Sequence, residues 1–586
     1  MYGFFQRMLT IDVGTGTTQE EALGQEVLQR SLGGKGLAAH LLLERNPTGV
    51  DPLAAENHLL FALGPATDTP IWGSVRYGMF TKSPLTGAFG ESYSGGKAAV
   101  PMSRTGYDIV DIVGAADEPV WIEVTDTKVE IHDASDIWGL DAYAAEDAIK
   151  GQVQDKAAVL VIGPAGENLV RFAVVENDYW RSAGRCGMGA VLGSKKIKGI
   201  AFHGSQKRPV ADPEGLKAKA KDILSTYKDH KATVAYKNFG TPMMVAMLNT
   251  AGGFPTRYWS QGTYEDWEQI NAEAMNSQCE VRSRACTTCF MACGKHLKVT
   301  QGRREGLVVE GPEYETIYAF GGLCCINSIQ DIAYFNDLCD KLGLDTISAG
   351  NMVALAMEGV ARGRLQADAE YGNADHVEAL LYEMAEGRGL GKTLGQGIVP
   401  ASKELGLEDL AIHVKGMEPA GYDPRALKGM GLAYAVSDRG ACHLRSTFYK
   451  AELGGQIDAD QIEGKAEFFL EYEDRCTLFD CLILCRFYRD FYWDELGSII
   501  SLTTGLEMDQ AELRRTAAIV TDMTRRFNLR EGLSAADDCL PERMYKEPLQ
   551  EGKRISQEDL QAMVLDYYRL RGWDEQGVPR DELFAR

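Results

Sequence analysis

The chain has 586 residues, with 61 Lys and Arg against 84 Asp and Glu, and a formal net charge of −23. A hydrophobic fraction of 45% with 25% charged residues is typical of a globular protein and excludes a disordered or collagen-like chain. Negative charge repels a phosphate backbone, so we predict no nucleic-acid partner. The sequence has neither the run of ~18 apolar residues of a membrane helix nor a signal peptide's pattern, which predicts a cytoplasmic protein without a membrane partner.

The first 206 residues are predicted to form a β-rich domain. Short apolar runs, rich in β-branched and aromatic residues and separated by Gly and Pro, are typical of strands. The clearest runs lie at 59–63, 120–124, 158–162 and 197–202. Many of the 63 glycines lie in this region, which indicates a backbone that approaches another group closely.

Beyond this region the pattern changes to helical periodicity. Asp212 is a predicted N-cap with Pro213 in the first turn, and residues 331–342 run without Gly or Pro. Gly and Pro return at 416–424. We therefore predict an α+β protein, in which a β-rich domain is followed by two mostly α-helical domains, with boundaries at 1–206, 207–413 and 414–586.

Three of the thirteen cysteines form a C-x2-C-x3-C motif, Cys286, Cys289 and Cys293. An odd number of cysteines without an export signal favours reduced thiols over disulfides. Three thiolates this close, on a loop that we expect to enter a helix, can converge on a metal. A four-iron cluster needs a fourth thiolate, for which Cys485 is the first candidate and Cys481 the second.

Zinc is the alternative ligand of this motif. His296 completes the pattern C-x2-C-x3-C-x2-H, and structural zinc accepts three cysteines and one histidine. A third interpretation is that the cysteines bind no metal. The spacing alone leaves these three alternatives open.

A short internal repeat favours the cluster. Residues 340–345 and 480–485 share the pattern Asp-x-Leu-x-Leu followed by Asp or Cys. Two equal segments indicate two equal halves of a ligand, and carboxylates accept hydrogen bonds from the NH groups of a pterin-like heterocycle. The alternative is that each segment is a helix end, with Gly343 as a C-cap glycine.

With these motifs the sequence resembles the tungsten-containing aldehyde ferredoxin oxidoreductase family, and the match runs through nearly the whole chain. Further matching blocks lie at 32–37, 64–67, 81–87, 163–167, 184–190, 311–316 and 439–445. The resemblance implies that the N-terminal β-rich domain binds pterin. It also implies tungsten or molybdenum held by two pterins, Mg²⁺ bridging the pterin phosphates, and a 4Fe-4S cluster.

The resemblance also implies roles for individual residues. The cluster ligands are Cys286, Cys289, Cys293 and Cys485. The catalytic candidates are Glu315, with Glu313 as its alternative, His443 and Tyr422. Cofactor contacts are implied for Arg76, Tyr93, Gly95, Ala183, Arg185, Asp340, Leu344, Asp345, Asp480, Leu484 and Arg445. Two positions depart from the family, since Tyr93 replaces a frequent Asn and Ile483 a usual Gly.

The two glutamates are separated by geometry. If their segment is helical, residues two apart point about 200° from each other, so only one of Glu313 and Glu315 can face the metal. In the proposed order of events Glu315 accepts a proton, while His443 and Tyr422 hold the developing oxyanion. Counting back from Asp340 favours Glu315.

The implied reaction converts an aldehyde and water into a carboxylic acid, or runs in reverse, and passes electrons to a ferredoxin or a small iron–sulfur subunit. Two other functions stay open. One is a related tungstopterin enzyme that reduces an aryl-CoA ring, for which Cys324 and Cys325 are candidate tungsten ligands. The other is a zinc-stabilised interaction protein. Both a homodimer and a hetero-oligomer stay open, and because Tyr334 replaces an interface acid of some members, we predict no metal between subunits.

Overall fold

The protein was analysed as a computed structural model, and the structure describes residues 1–580. Its N-terminal part contains two six-stranded sheets. The first sheet contains β1 (Arg7–Asp12), β2 (Thr17–Ala22), β3 (Leu59–Ala62), β4 (Tyr77–Lys82), β5 (Phe89–Ser94) and β6 (Ile109–Val113). The second contains β7 (Val120–Val124), β8 (Val129–Asp133), β9 (Ala158–Val161), β10 (Val175–Asn177), β11 (Arg181–Ala183) and β12 (Ile197–Phe202).

The two sheets repeat one topology. Their strand orders are β2-β1-β6-β3-β4-β5 and β8-β7-β12-β9-β10-β11, so each strand of the second corresponds to a strand six places earlier. In both sheets the first strand pairs antiparallel with the second and parallel with the sixth. The prediction of a β-rich N-terminal region is confirmed, and the strands predicted at 120–124 and 197–202 have the predicted bounds.

The sheets pack face to face over a common apolar core. Leu9, Ile11 and Phe61 from the first sheet meet Ile122 and Phe202 from the second in this core. The rings of Phe61 and Phe202 lie 5.9 Å apart. Burying both inner faces is the main stabilising contribution, because apolar area removed from water contributes about 25 cal/mol per Å².

Six helices lie in the N-terminal region, and the chain becomes mostly helical after it, as predicted. The first six are α1 (Gln25–Ser31), α2 (Gly34–Arg45), α3 (Ala99–Ser103), α4 (Ala142–Lys150), α5 (Pro164–Glu167) and α6 (Met188–Ser194). The others are α7 (Pro213–Tyr227), α8 (Lys231–Phe239), α9 (Met244–Ala251), α10 (Ala272–Gln278), α11 (Tyr314–Thr316), α12 (Ile329–Leu342), α13 (Thr346–Ala361), α14 (Ala374–Glu386), α15 (Gly389–Leu394), α16 (Ile398–Leu405), α17 (Lys428–Val436), α18 (Tyr449–Leu453), α19 (Lys465–Cys481), α20 (Arg489–Tyr492), α21 (Leu496–Thr504), α22 (Gln510–Arg530), α23 (Glu542–Lys546) and α24 (Gln557–Arg571).

Side-chain caps explain where two of these helices begin. The Asp212 side chain accepts a hydrogen bond from the backbone of Gly215, so α7 begins at Pro213 as predicted. Ser328 caps α12, which therefore begins two residues before the predicted start. Among residues 1–580 no helix is both long enough and apolar enough to cross a membrane.

A small antiparallel sheet interrupts the helical part. It contains β13 (Cys279–Arg284), β14 (Gly294–Val299) and β15 (Val308–Glu310). The cysteine motif forms the connection between β13 and β14, so the prediction that this loop enters a helix is wrong. β13 lies at the edge of its sheet, and edge strands commonly carry charged residues such as its Glu280 and Arg282. These charges conceal the apolar alternation by which a strand is predicted.

Two equivalent turns position the repeated Asp-x-Leu-x-Leu segments. A Gly-Pro-Ala turn follows β3 and another follows β9. A Cβ on Gly64 in the first turn would lie 2.0 Å from the carbonyl oxygen of Leu482. A Cβ on Gly163 in the second would lie 2.5 Å from that of Leu342. A residue with a side chain could not fit at either turn. The two Asp-x-Leu-x-Leu segments therefore pack against equivalent turns of the two sheets.

Candidate active site

A cavity of about 390 Å³ lies between the strands of the two sheets and the helical part. Its walls include both repeated segments and the β13–β14 loop. All predicted site residues line it except Ala183 and Tyr422, namely Arg76, Tyr93, Gly95, Arg185, Cys286, Cys289, Cys293, Glu313, Glu315, Asp340, Leu344, Asp345, His443, Arg445, Asp480, Leu484 and Cys485. Ala183 ends β11, between two residues that do line the cavity. Their roles remain predictions, but their convergence is a property of the fold.

The cysteine-lined end of the cavity joins two distant parts of the chain. Gly73 accepts a hydrogen bond from the backbone N–H of Cys485 at 2.9 Å and donates one to the carbonyl of Thr288 at 3.1 Å. Gly73 has a φ of +80°, and a Cβ there would lie 2.6 Å from the Tyr488 ring. Cys481, the second candidate ligand, is fully buried and does not line the cavity.

The thiols are too far apart for a mononuclear zinc site. Zn–S bonds of about 2.3 Å in a tetrahedron place two sulfurs about 3.8 Å apart. Within residues 1–580 neither the cysteines nor His296 belong to a group of three ligating atoms that lie within 4.8 Å of one another. His296 instead contacts the ring of Trp180 from β14. Among the described residues the four thiols line one cavity but do not form a group of that kind.

The two aspartates of the repeat have different surroundings. Asp340, in the last turn of α12, accepts a hydrogen bond from Asn336 at 2.9 Å, and burial raises its pKa well above the ordinary value. Asp480 accepts one from Arg445 at 2.6 Å and also contacts Arg486. The helix-end interpretation holds for the first copy, since Gly343 ends α12 with φ +78°. The same residues face the cavity, so the two interpretations are compatible.

Asp345 has a structural task that the sequence did not reveal. Its carboxylate caps α13 by accepting hydrogen bonds from the backbone of Ile347 and Ser348. It also lies 3.2 Å from Nε of Arg185. A ligand that contacts Asp345 therefore meets a carboxylate whose orientation is already fixed.

Several buried arginine N–H groups on the cavity wall lack an acceptor. Nη1 of Arg185 and Nε of both Arg439 and Arg445 have no hydrogen-bond partner among the described residues. Leaving a buried donor unsatisfied costs about 1 to 3 kcal/mol, more for a charged group. These groups fit an anionic, acceptor-rich ligand such as pterins with their phosphates.

Sequence reasoning missed a buried ion-pair network beside these arginines. Glu91 of β5 pairs with Arg445 at 2.6 Å and with Lys35 of α2 at 3.0 Å, and it accepts a hydrogen bond from the hydroxyl of Tyr93. Burial favours the protonated form of Glu91, but Arg445 and Lys35 outweigh it and hold its pKa below the usual range. The available signal was a charged residue in an otherwise buried strand, and a lysine inside a Gly-rich block.

Arg76 lies between the cysteine-lined end of the cavity and β5. Its Nη2 donates a hydrogen bond to the carbonyl of Tyr93 at 3.1 Å. A Cβ on Gly95 would lie 3.2 Å from Sγ of Cys286 and 3.5 Å from Nη1 of Arg76. The close packing at Gly95 places the guanidinium beside a cysteine thiol.

Glu315 and His443 form a pair at the cavity wall. Nε2 of His443 lies 3.4 Å from Oε1 of Glu315, and the backbone N–H of Gly421 donates to Oε2 at 3.0 Å. Burial raises the pKa of Glu315 to about 8, although Gly421 and Arg185 oppose it. Burial and the nearby arginines lower the pKa of His443 well below its ordinary value. At pH 7 the pair is therefore mostly uncharged.

Glu313 lines the same cavity but faces its cysteine end. Its carboxylate accepts a hydrogen bond from the Thr241 hydroxyl and raises the pKa of Cys293, for which burial is the larger cause. Both glutamates line the cavity, and the condition for the prediction that only one of them faces the metal, a helix containing both, is not met. Glu313 is the N-cap of α11 with an extended backbone, so the rotation of 100° per residue does not relate it to Glu315.

Tyr422 lies behind His443 instead of on the cavity wall. Its ring stacks on Tyr449 at 4.0 Å and on His443 at 5.4 Å. Its hydroxyl is hydrogen-bonded to Tyr449. This arrangement does not support the predicted substrate contact and instead orients the imidazole.

Three further tyrosines, which the sequence did not single out, hold the segment beside Glu315. The hydroxyls of Tyr314, Tyr318 and Tyr434 donate to the carbonyls of Gly421, Pro419 and Ala420, respectively. These bonds fix the backbone whose N–H contacts Glu315. Tyr318 belongs to a π-helical turn over Ile317–Leu323 that continues α11.

The cysteines proposed for the ring-reducing alternative lie elsewhere. Cys324 is fully buried and contacts the carbonyl of Ala319, 3.4 Å away. Cys325 lines a separate surface pocket with Tyr264 and Tyr371. Neither cysteine lines the cavity that holds Glu315.

Comparison with known proteins gives a consistent result. The family models for the N-terminal domain and for domains 2 and 3 of aldehyde ferredoxin oxidoreductase match residues 8–204 and 218–586. The chain is 35% identical to the tungsten-containing aldehyde ferredoxin oxidoreductases of Pyrococcus furiosus and Thermococcus kodakarensis, covering 100% and 99% of this chain and 98% of each relative. A solved benzoyl coenzyme A reductase complex, BamBC, aligns over 100% of this chain and 97% of its own, with a TM-score of 0.86 and 23% identity. That last similarity concerns the fold.

Proposed function

Because the chain belongs to the aldehyde ferredoxin oxidoreductase family, we propose that it oxidises an aldehyde with water to a carboxylic acid. The reaction releases two protons and two electrons, and it can run in reverse. The observation that carries the proposal is that the Glu315–His443 pair and four cysteine thiols line one cavity. The pair can handle protons and the thiols can hold a centre that handles electrons.

In the proposed reaction Glu315 accepts the proton that leaves the attacking water. Its Oε1 has no hydrogen-bond partner among the described residues, so this oxygen is available. The N–H of Gly421 holds the other carboxylate oxygen in place. His443, whose Nε2 lies 3.4 Å from Oε1 of Glu315, would donate an N–H to the carbonyl oxygen of the aldehyde and polarise that carbonyl.

Burial serves this role of Glu315 in a specific way. A carboxyl with a pKa of about 8 is a stronger base than an exposed glutamate once it is ionised. Since this carboxyl is mostly protonated at pH 7, it can also donate the proton that the reverse reaction requires. Because the pKa of His443 is lowered, its imidazole is neutral at pH 7 and does not stabilise the ionised form of Glu315 by charge.

The residues of the cavity fit the cofactors that the family implies. Arg185, Arg439 and Arg445 supply donors for two pterins and their phosphates, and Asp340 and Asp480 supply acceptors. The carbonyl of Tyr93 is proposed to contact Mg²⁺, the backbone at Gly95 and Ala183 to contact a pterin, and the four cysteines to hold a 4Fe-4S cluster. When bound, tungsten with its pterins accepts two electrons and the cluster transfers them singly. We propose tungsten over molybdenum because the relatives named above contain tungsten.

The electron acceptor is proposed to be a ferredoxin or a small iron–sulfur subunit. The β13–β14 loop reaches the surface, where Thr287 is exposed between two of the cysteines. Lys97, which follows the Gly96 N–H that contacts Cys286, and Arg282 of β13 are also exposed. Two cations beside the loop give an acidic carrier a local contact on a protein of charge −23. All thirteen cysteines are free thiols, which agrees with a cytoplasmic protein.

Metal analysis and an aldehyde panel test the proposal. Anaerobically purified protein, produced with tungstate, should contain about four iron and about one tungsten per chain. It should reduce a viologen dye when an aldehyde is added. Zinc in place of iron would refute the cluster. Dye oxidation driven by an aryl-CoA ester, without activity on any aldehyde, would replace the proposed reaction with ring reduction.

A further inference from the structure

A second group of metal-binding side chains lies on the β7–β8 hairpin, at the far edge of the second sheet. β8 forms one edge of this sheet, whereas β11, whose Ser182 lines the catalytic cavity, forms the other. Among residues 1–580 this hairpin carries the one group of three or more His, Cys, Asp or Glu whose ligating atoms lie within 4.8 Å of one another. The group consists of Glu123, Glu130 and His132.

Strand register places the three side chains on one face. Glu123 of β7 lies directly opposite Glu130 of β8, and Trp121 lies opposite His132. Since side chains two apart in a strand point to the same side, all four share a face. The His132 ring stacks on Trp121 with a centroid separation of 4.0 Å and an interplanar angle of 15°. This stacking fixes the direction of the imidazole.

The imidazole points at the two carboxylates without bonding to either. Nε2 of His132 lies 3.7 Å from Oε2 of Glu123 and 3.9 Å from Oε2 of Glu130. This nitrogen is shielded from solvent and has no hydrogen-bond partner within the described chain. A buried nitrogen without a partner, between two carboxylates, is an arrangement that a cation would satisfy.

The pair of glutamates needs a positive partner. Like charges directly opposite on neighbouring strands destabilise a sheet. His203, which follows β12, contacts Glu123 at 2.7 Å and holds one carboxylate oxygen. The ammonium of Lys128 lies 2.6 Å from Glu130 and 4.0 Å from Glu123, but its side chain is 52% exposed. Lys128 can therefore leave towards solvent when another cation arrives.

We propose that Glu123, Glu130 and His132 form a binding site for a divalent transition-metal ion of the zinc class. Zinc bonds of about 2.0 to 2.2 Å to nitrogen and oxygen place two ligands about 3.3 to 3.6 Å apart in a tetrahedron. The observed separations of 3.7 and 3.9 Å exceed these values by less than 1 Å. Side-chain rotation closes the site, and water completes the coordination.

The mixture of ligands selects the ion. One imidazole with two carboxylates suits zinc and similar ions, whereas Mg²⁺ and Ca²⁺ prefer oxygen ligands alone. His203 would orient Glu123 from outside the site, a role that hydrogen-bonded partners of ligands commonly have. None of these residues lines the catalytic cavity. The bound ion would link β7 to β8 and stabilise the hairpin.

Calorimetric titration of the holoenzyme with Zn²⁺ tests the site, with bound zinc counted by equilibrium dialysis. We expect one zinc per chain at this site, a rise in melting temperature on binding, and unchanged dye reduction. His132→Gln and Glu130→Gln should each weaken binding at least tenfold and abolish the rise. Lys128→Met should strengthen binding about fivefold, because it removes a competing charge about 4 Å away. Glu214→Gln, an exposed acid on α7, serves as the matched control and should change nothing.

Three results would overturn the proposal. One is zinc binding that persists unchanged in both His132→Gln and Glu130→Gln. Another is the lack of binding at 1 mM zinc in the parent protein. The third is weaker binding in Lys128→Met, which would mean that Lys128 orders the carboxylates instead of competing for them. Circular dichroism of each variant shows that the fold is retained.

Discussion

Replacing Glu315 by glutamine separates catalysis from stability. The amide has the size of the carboxyl group, and its oxygen can still accept the N–H of Gly421. It cannot accept the proton of the attacking water. We expect aldehyde oxidation to fall by about 10²- to 10⁴-fold, the usual contribution of a general base, with iron and tungsten contents unchanged.

The structure also predicts the pH dependence. With a pKa of about 8, only about a tenth of Glu315 is ionised at pH 7. The parent enzyme should therefore gain nearly tenfold in kcat/KM per pH unit below about pH 8 and level off above it. The glutamine variant should lose this rise, because no carboxyl remains to ionise.

Stability should change in the opposite direction. The pKa of Glu315 is raised from 4.5 in the unfolded chain to about 8, so the folded state binds more protons between these values. The parent protein therefore loses stability as pH rises through this window. At pH 7 the loss reaches at most about 3.5 kcal/mol, from 2.5 pH units at about 1.4 kcal/mol each. Glu315→Gln should thus melt at or above the parent's temperature at pH 7.

The assay is viologen reduction from pH 6 to 9 together with thermal unfolding of the same samples. Glu313→Gln is the matched control. Glu313 contacts Thr241 and not His443, so its loss should cost stability more than rate. The reverse pattern would exchange the roles of the two glutamates. Full activity in both variants would refute a carboxylate base and make His443 the next candidate.

Three further predictions concern the cluster, the carrier and the imidazole. Cys485→Ser should lower iron content and the brown absorbance, whereas Cys481→Ser should leave both unchanged, because only Cys485 lines the cavity; equal effects would contradict this assignment. Reversing the charge of Lys97 and Arg282 together should raise the KM for ferredoxin several-fold and leave dye reduction unaffected. The reason is that a chain of charge −23 attracts an acidic carrier only through local positive charges. An unchanged KM would place docking elsewhere. Tyr422→Phe keeps the ring stacked on His443 and should reduce kcat less than tenfold. Tyr422→Ala removes the ring, so it should reduce kcat more and leave the KM for aldehyde nearly constant. A larger change of KM in Tyr422→Phe would indicate a direct substrate contact.

The sequence by itself determined the family, the fold class and several element bounds. Asp212 and Pro213 predict the start of α7 because an N-cap acts through residues two or three positions away. The strands β7 and β12 were predicted to the residue because both are short segments rich in β-branched and aromatic residues. The Cys-x2-Cys-x3-Cys motif was recognisable because its members are close together in the chain. The domain boundaries stay predictions.

Features that depend on contacts between distant residues were not predicted from the sequence. β13 was missed because the charges of an edge strand conceal its alternation. The shared topology of the two sheets has no counterpart in residue spacing, apart from the Gly-Pro-Ala turns that contact Leu342 and Leu482. The helical angle expected between Glu313 and Glu315 does not apply, because Glu313 lies outside the helix.

Tertiary structure alone decided which groups meet in the cavity and in what protonation state. Local sequence determines hydrogen bonds within a turn or a helix, but burial is a property of everything that surrounds a group. Burial raises the pKa of Glu315 to about 8, although the N–H of Gly421, which is distant in the chain, opposes this shift. The free energy that defines this site comes from desolvation, which no spacing of residues along the chain encodes.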